Sequence, residues 1–258
     1  MTKRDPHDVA LQRRVATASL AAISKYGFVL AGSGALREHG FTQRPTEDVD
    51  LFTTGRYQDD FSSAVDELIA VLDATGVDVT VQRRSEAFSR LLIEDSSGGS
   101  THIDMGVDWR SSEPEVLQIG PVLAEIDSVA SKFSALYSRG EPRDYLDVDA
   151  IRQSRRFTDE ELLVAAENFD PGFDRQYFAQ RLMNVARLSV SETEDYALEP
   201  NNFSSLVQRL ESWGSQLSNP TEPEEPSVGP APTKTNIAPP AKPMNGPGML
   251  GPDRGLSQ

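Results

Sequence analysis

A chain of 258 residues, 38% hydrophobic and 25% charged, has the material for one large or two small cores. The absence of cysteine excludes disulfides, thiolate metal sites and cysteine nucleophiles, and three scattered histidines (His7, His39, His102) do not make a zinc site. The formal net charge of −15 excludes coating of nucleic acid by bulk electrostatics, so a polyanionic substrate must meet a local basic surface or borrowed cations.

In chain order, MTKRDPHDVA lacks a signal-peptide core, and no apolar run approaches a membrane span, so a cytoplasmic location is expected. A helical pattern at 7–25 precedes the strand FVLAG, which ends in Gly32-Ser33-Gly34 with a short helix expected from about Ala35. A strand at 48–53, an amphipathic helix at about 58–75, and strands VDVTVQRR, FSRLLIE and THIDMGVDW follow. From about 122 the periodicity turns helical: EIDSVASKFSALYSR, RDYLDVDAIRQS, TDEELLVAAENF with a Thr158/Glu161 capping box, FDRQYFAQRLMNVARLS and NNFSSLVQRLESWGSQL. The last forty residues hold ten of the 17 prolines and almost no apolar periodicity, the composition of a disordered tail. The expectation is an α+β protein: a mixed-sheet domain over 1–120, a helical domain over 121–217 and a disordered segment over 218–258.

A Gly-Ser turn at a helix start offers N–H groups and a hydroxyl to phosphate, although most such turns are only turns. In DVDLF, strand alternation puts Asp48 and Asp50 on one face and Val49 and Leu51 in the core. Two neighbouring carboxylates repel unless a cation sits between them, and magnesium is the natural candidate; a solvated strand face is the bland alternative. In THIDMGVDW, Ile103, Met105, Val107 and Trp109 share a face, with Asp104 and Asp108 opposite. If the strand bearing Asp104 lies beside that bearing Asp48 and Asp50, the three carboxylates can hold two metals roughly 4 Å apart for phosphoryl displacement. Asp108 reads as a strand-end polar residue. Lys132 lies beside an apolar stripe of Val129, Phe133 and Leu136, where a snorkelling surface lysine is the ordinary reading. Arg143 and Asp147 are an i,i+4 pair, and Asp149 reads as solvated.

The two pieces GSGALREHGFTQRPTEDVDLF and SKFSALYSRGEPRDYLDVDAI together resemble the DNA polymerase β-like nucleotidyltransferase superfamily, and within it the AbiEii/AbiGii-type toxins that include the MenT toxins. The resemblance covers about residues 20–155. It implies NMP transfer from an NTP to an acceptor hydroxyl, with two Mg²⁺ ions held by Asp48 and Asp50 and completed by Asp104, which also helps to deprotonate the acceptor. Gly32 and Ser33 would cradle phosphates, Lys132 would offset triphosphate charge, and Arg44 (or Arg37) would touch phosphate. One aspartate of RDxxD would face the nucleotide. Asp147 is favoured, with Asp144 and Arg143 orienting the helix, and the choice between Asp144 and Asp147 stays open. The family further implies a toxin of a toxin–antitoxin or phage-defence system that blocks translation by extending tRNA 3′ ends, with an antitoxin partner; the sequence leaves the oligomeric state open, with a monomer compatible. Arg83-Arg84 and Arg152 to Arg156 offer phosphate contacts. A small-molecule or protein-hydroxyl acceptor, or an idle binding module, are the alternatives.

Overall fold

A strand pair carrying alternating aspartates and apolar residues can bury one face only, and that asymmetry organises the molecule. A computed structural model describes residues 6–46, 48–196 and 200–219. Helix α1 (Pro6–Ile23) leads through a short 3₁₀ turn to β1 (Val29–Leu30), α2 (Gly32–Glu38) and β2 (Asp48–Thr53). Helix α3 (Phe61–Ala74) precedes β3 (Val77–Arg84), β4 (Phe88–Asp95), β5 (Ser100–Val107) and two short strands, β6 (Glu115–Leu117) and β7 (Gly120–Val122). The seven strands form one mixed sheet in the order β3-β4-β5-β2-β1-β7-β6. Strand β2 runs parallel to β5 and antiparallel to β1, while β3, β4 and β5 form an antiparallel meander.

The core face of the sheet, with Val49, Leu51, Leu91, Ile93, Ile103 and Met105, packs against the apolar stripes of α1 and α3. A second core joins α4 (Glu125–Ser138), α5 (Pro142–Ser154), α6 (Asp159–Phe169), α7 (Arg175–Met183) and α8 (Pro200–Ser218). Phe133, Phe178 and Trp213 sit at its centre with ring centroids 5.4–6.0 Å apart, a spacing at which aromatic pairs add to area burial. Among the described residues no helix is long and apolar enough to cross a membrane.

Several expectations are corrected. Helix α2 starts at Gly32 rather than about Ala35, so Gly-Ser-Gly is its first turn and not a separate loop. Strand β6 and strand β7, not foreseen in the sequence, extend the sheet because β7 pairs in parallel with β1. Strand β5 ends at Val107, and Trp109 is not on the core face: it is 52% exposed, with its ring edge against Phe169. The helix expected over 173–189 breaks at Met183 into a 3₁₀ turn. Asp149 is not solvated: it is buried and held by both Nε and Nη2 of Arg209, 2.8 and 2.6 Å away, because α8 lies across that side of α5. The proline-rich segment lies outside the described residues beyond Asn219, and Ser218 closes α8.

Candidate active site

The three strand aspartates converge. Residues Asp50 and Asp104 are direct partners across the parallel β2–β5 ladder, and Asp48 sits two residues earlier on the same face. One oxygen from each of Asp48, Asp50 and Asp104 lies within 4.8 Å of the others, all hard donors of the kind that Mg²⁺ or Mn²⁺ takes. Burial, and then the neighbouring charge of Asp48, push the Asp50 carboxyl up to about 7. Such crowding is unfavourable without a cation, so the donor set fits a divalent metal.

Gly32 explains how Asp50 reaches its place. Its φ is +57°, and a Cβ there would fall 1.8 Å from Asp50 Oδ2. The missing side chain thus makes room for a carboxylate, while the Ala31 N–H donates to the Asp50 carbonyl oxygen at 2.9 Å. The sequence suggested instead that this glycine clears a path for phosphate.

Beside the carboxylates lies a buried cluster around Ser33. Lys132 Nζ donates to Ser33 Oγ at 2.8 Å and stands 3.1 Å from Asp147 Oδ2. Arg44 reaches the same group, with Nη2 on Ser33 Oγ and Nε on Asp147 Oδ1 at 2.6 Å. Asp147 has no exposed side-chain surface, and Lys132 and Arg44 keep only 7% and 8% of theirs. Burial opposes the charge of Asp147, but Lys132 and Arg44 outweigh it and hold its carboxyl below the ordinary range. Lys132 is therefore a buried lysine and not a snorkelling one: α4 turns it inward beside Val129, Phe133 and Leu136.

The loop before β2 presents Arg44. Thr46 Oγ1 donates to Gln12 Oε1 at 3.0 Å, and Gln12 Nε2 returns a bond to the Thr46 carbonyl oxygen at 2.9 Å. Helix α1 thereby anchors the loop, a role for Gln12 and Thr46 that the sequence did not suggest. Arg37 points to Thr46 rather than into the carboxylate cluster.

Asp144 stands apart from Ser33. It is fully buried, accepts from Arg139 Nε and Nη2 at 2.9 and 2.8 Å, and accepts the Glu141 N–H in a capping box at the start of α5. Donating to the Asp144 carboxylate holds the Arg139 guanidinium more firmly protonated than usual. Glu141-Pro142-Arg143-Asp144 was a readable cap signature, with an acid at N-cap, proline at N1 and an acid at N3. Arg143 pairs with Glu141 at 2.8 Å, and its charge is felt at Asp50.

Arg90 of β4 is the residue that sequence reasoning missed. Directly opposite Asp104, its Nε donates to Oδ1 at 2.7 Å and its Nη2 to Oδ2. The signal existed in the turn between the strands, where Asp95 Oδ1 accepts N–H bonds from Ser97 and Gly99. Equal steps outward from that turn pair Glu94 with Ser100 and Arg90 with Asp104. His39 Nε2 bonds the Leu123 carbonyl oxygen, whereas His102 is in register with Asp48 on the sheet face that carries the carboxylates. Asp108 follows the end of β5 and accepts the Trp109 N–H. Arg84 is tied to Asp66, Arg152 to Asp159 and Arg156 to Glu125, so much of the expected basic surface is already neutralised.

Carboxylates on adjacent strands facing buried cations suit the handling of a polyphosphate, and on this mixed sheet they mark a nucleotidyltransferase. The chain belongs to the AbiEii nucleotidyl transferase toxin family, described for a type IV toxin–antitoxin system, whose model matches residues 18–222. Similar solved structures include JHP933 from Helicobacter pylori, at 15% identity and TM-score 0.55, covering 83% of this chain and 93% of that one. MenT4, a nucleotidyltransferase toxin from Mycobacterium tuberculosis, is 17% identical with TM-score 0.51, covering 81% of this chain and 84% of that one. At these identities the likeness establishes the fold. No curated protein matches the chain.

Proposed function

We propose that the chain transfers an NMP from an NTP to the 3′ end of tRNA, blocks translation, and is restrained by an antitoxin. The observation that carries this reading is the meeting of Asp48, Asp50 and Asp104 beside the Ser33–Lys132–Arg44–Asp147 cluster. The sheet half (1–120) would supply the carboxylates, and the helical half (121–217) the lysine and its aspartate.

Asp48, Asp50 and Asp104 would hold two Mg²⁺ ions. When bound, such ions polarise the phosphate oxygens and stabilise both the entering and the leaving oxygen. Lys132 and Arg44, pre-positioned by Asp147, meet the triphosphate with Ser33. Asp144 keeps Arg139 and the α5 start in place. The acceptor 3′-oxygen attacks the α-phosphorus, the bond to the β-phosphate oxygen breaks, and pyrophosphate leaves. Asp104 takes the hydroxyl proton. Positioning and charge stabilisation supply most of the rate in such transfers, which is how a strongly acidic chain can act on a polyanion.

The test incubates the chain with total tRNA, Mg²⁺ and each α-labelled NTP in turn, beside Asp48→Ala. Label on tRNA from the wild type alone supports the reading. Label on a small molecule or a protein instead would replace the acceptor while keeping the chemistry.

A further inference from the structure

Arg90 poses a difficulty for the reading just given. Both oxygens of Asp104 are bound to its guanidinium, which takes two of the carboxylate's four lone-pair directions and part of its charge, so Arg90 competes with a metal ion or a proton for Asp104. The two partners differ in freedom. The Asp104 side chain is 11% exposed and fixed within the carboxylate group, whereas Arg90 is 44% exposed. If the pair breaks, the arginine is the partner that leaves.

The surroundings indicate where it goes. Arg83 of β3 is in register with Arg90, and it leans over the Phe88 ring at 5.3 Å. Both arginines are exposed, on the sheet face that carries the carboxylates rather than the face packed on α1 and α3. Arg90 is already paired with Asp104, and an external anion arriving on this face would meet both guanidinia in register. The aromatic ring beside it suits a nucleotide base.

We infer that Arg90 is a positioning residue that holds Asp104 while no acceptor is bound and transfers to a backbone phosphate of the incoming RNA end, thereby freeing Asp104 for the second metal ion. The inference rests on the nucleotidyltransferase reading of the site. It makes acceptor and metal binding mutually reinforcing, and such coupling is reciprocal by thermodynamic necessity. It also suppresses futile NTP hydrolysis, because the metal site stays incomplete until the acceptor has arrived.

The test is Mn²⁺ titration of the full chain, followed by paramagnetic resonance, with and without a short single-stranded RNA bearing a free 3′ end. Asp48→Ala reports binding at the site. Without RNA, Arg90→Gln should bind its weaker Mn²⁺ about two- to fivefold more tightly than wild type, the scale of losing one partly exposed charge pair. RNA should tighten Mn²⁺ binding to wild type by a similar factor and leave Arg90→Gln unchanged. Arg90→Lys, which keeps the charge without the fork, should fall between them. The wild-type comparison needs no variant to fold. Equal Mn²⁺ affinity in wild type and Arg90→Gln, or an RNA effect that persists in Arg90→Gln, overturns the role of Arg90 alone. Mn²⁺ binding that Asp48→Ala does not weaken overturns the metal-site reading, and the Arg90 inference with it.

Discussion

Replacing Gly32 with alanine isolates the contact on which the carboxylate group depends. Two costs add. A side-chain-bearing residue held at φ +57° costs about 1–2 kcal/mol. The new Cβ would also sit 1.8 Å from Asp50 Oδ2, so Asp50 must move, an overpacking cost of about 1–3 kcal/mol. The sum, roughly 2–5 kcal/mol, lowers Tm by roughly 4–20 °C in a domain of this size. Stability alone would not identify the cause, so the decisive assay is Mn²⁺ binding. With Asp50 displaced, affinity should fall by about tenfold or more, the effect of losing one carboxylate's favourable contact with the ion. Gly76→Ala is the matched control: its φ is +80°, but nothing lies within 4 Å of its Cβ position. It carries the backbone cost and should bind Mn²⁺ as wild type does. If Gly32→Ala also binds Mn²⁺ normally, the close approach of Asp50 is not what this glycine serves.

Asp147→Asn leaves Lys132 and Arg44 buried without their carboxylate, and denaturant unfolding should show a loss of about 3–5 kcal/mol. A loss under about 1 kcal/mol would mean that the two cations find water or another acceptor at once. Asp149→Ala removes the tie between α5 and Arg209 of α8 and should cost about 1–3 kcal/mol, with nucleotidyl transfer per folded molecule unchanged. Activity lost from a folded Asp149→Ala protein would place this pair within the catalytic machinery. Asp50 sets the pH dependence. Its native carboxyl, near 7, lies above its unfolded value, so the metal-free native state holds a proton that the unfolded state has released. Metal-free stability should therefore fall as pH rises from about 4 to 7, while Mn²⁺ affinity rises over the same interval and levels above it. Calorimetry in buffers of differing ionisation enthalpy measures the proton released, and zero release at pH 6 would contradict the shift.

The strand aspartates were legible because a strand has period two: once 48–53 and 100–107 are strands, the facing of Asp48, Asp50 and Asp104 follows. Their meeting was not legible from alternation, because the register of β2 against β5 depends on how the intervening meander folds. The buried state of Lys132 was hidden for a related reason. Local helix periodicity ranks a lysine as solvated, and only the arrival of Asp147 and Ser33 from other elements offsets its burial. Asp149 shows the same failure: α5 alone leaves it facing outward, and α8 covers it. Short strands such as β6 and β7 carry too few residues for a period to register, so their place in the sheet depends on pairing.

The net charge of −15 looked like an obstacle to a polyphosphate substrate, and the site reframes it. Arg44 and Lys132 are bound to Asp147, Arg139 to Asp144, and Arg90 to Asp104, so these cations are held in place by carboxylates before any substrate arrives. A guanidinium fixed in this way loses little freedom when a phosphate replaces or joins its partner, and preorganised charge of this sort is what lowers a phosphoryl-transfer barrier. The same pairing cancels much of the local field, so on the proposed reading part of the triphosphate's charge would be met by ions held by Asp48, Asp50 and Asp104. The bulk acidity and the chemistry are therefore compatible, because the positive charge that matters is divided between immobilised side chains and cations recruited from solution. On the proposed reading, nucleotidyl transfer should be lost without divalent metal, and any nucleotide binding that survives its removal should be weakened further by Lys132→Ala.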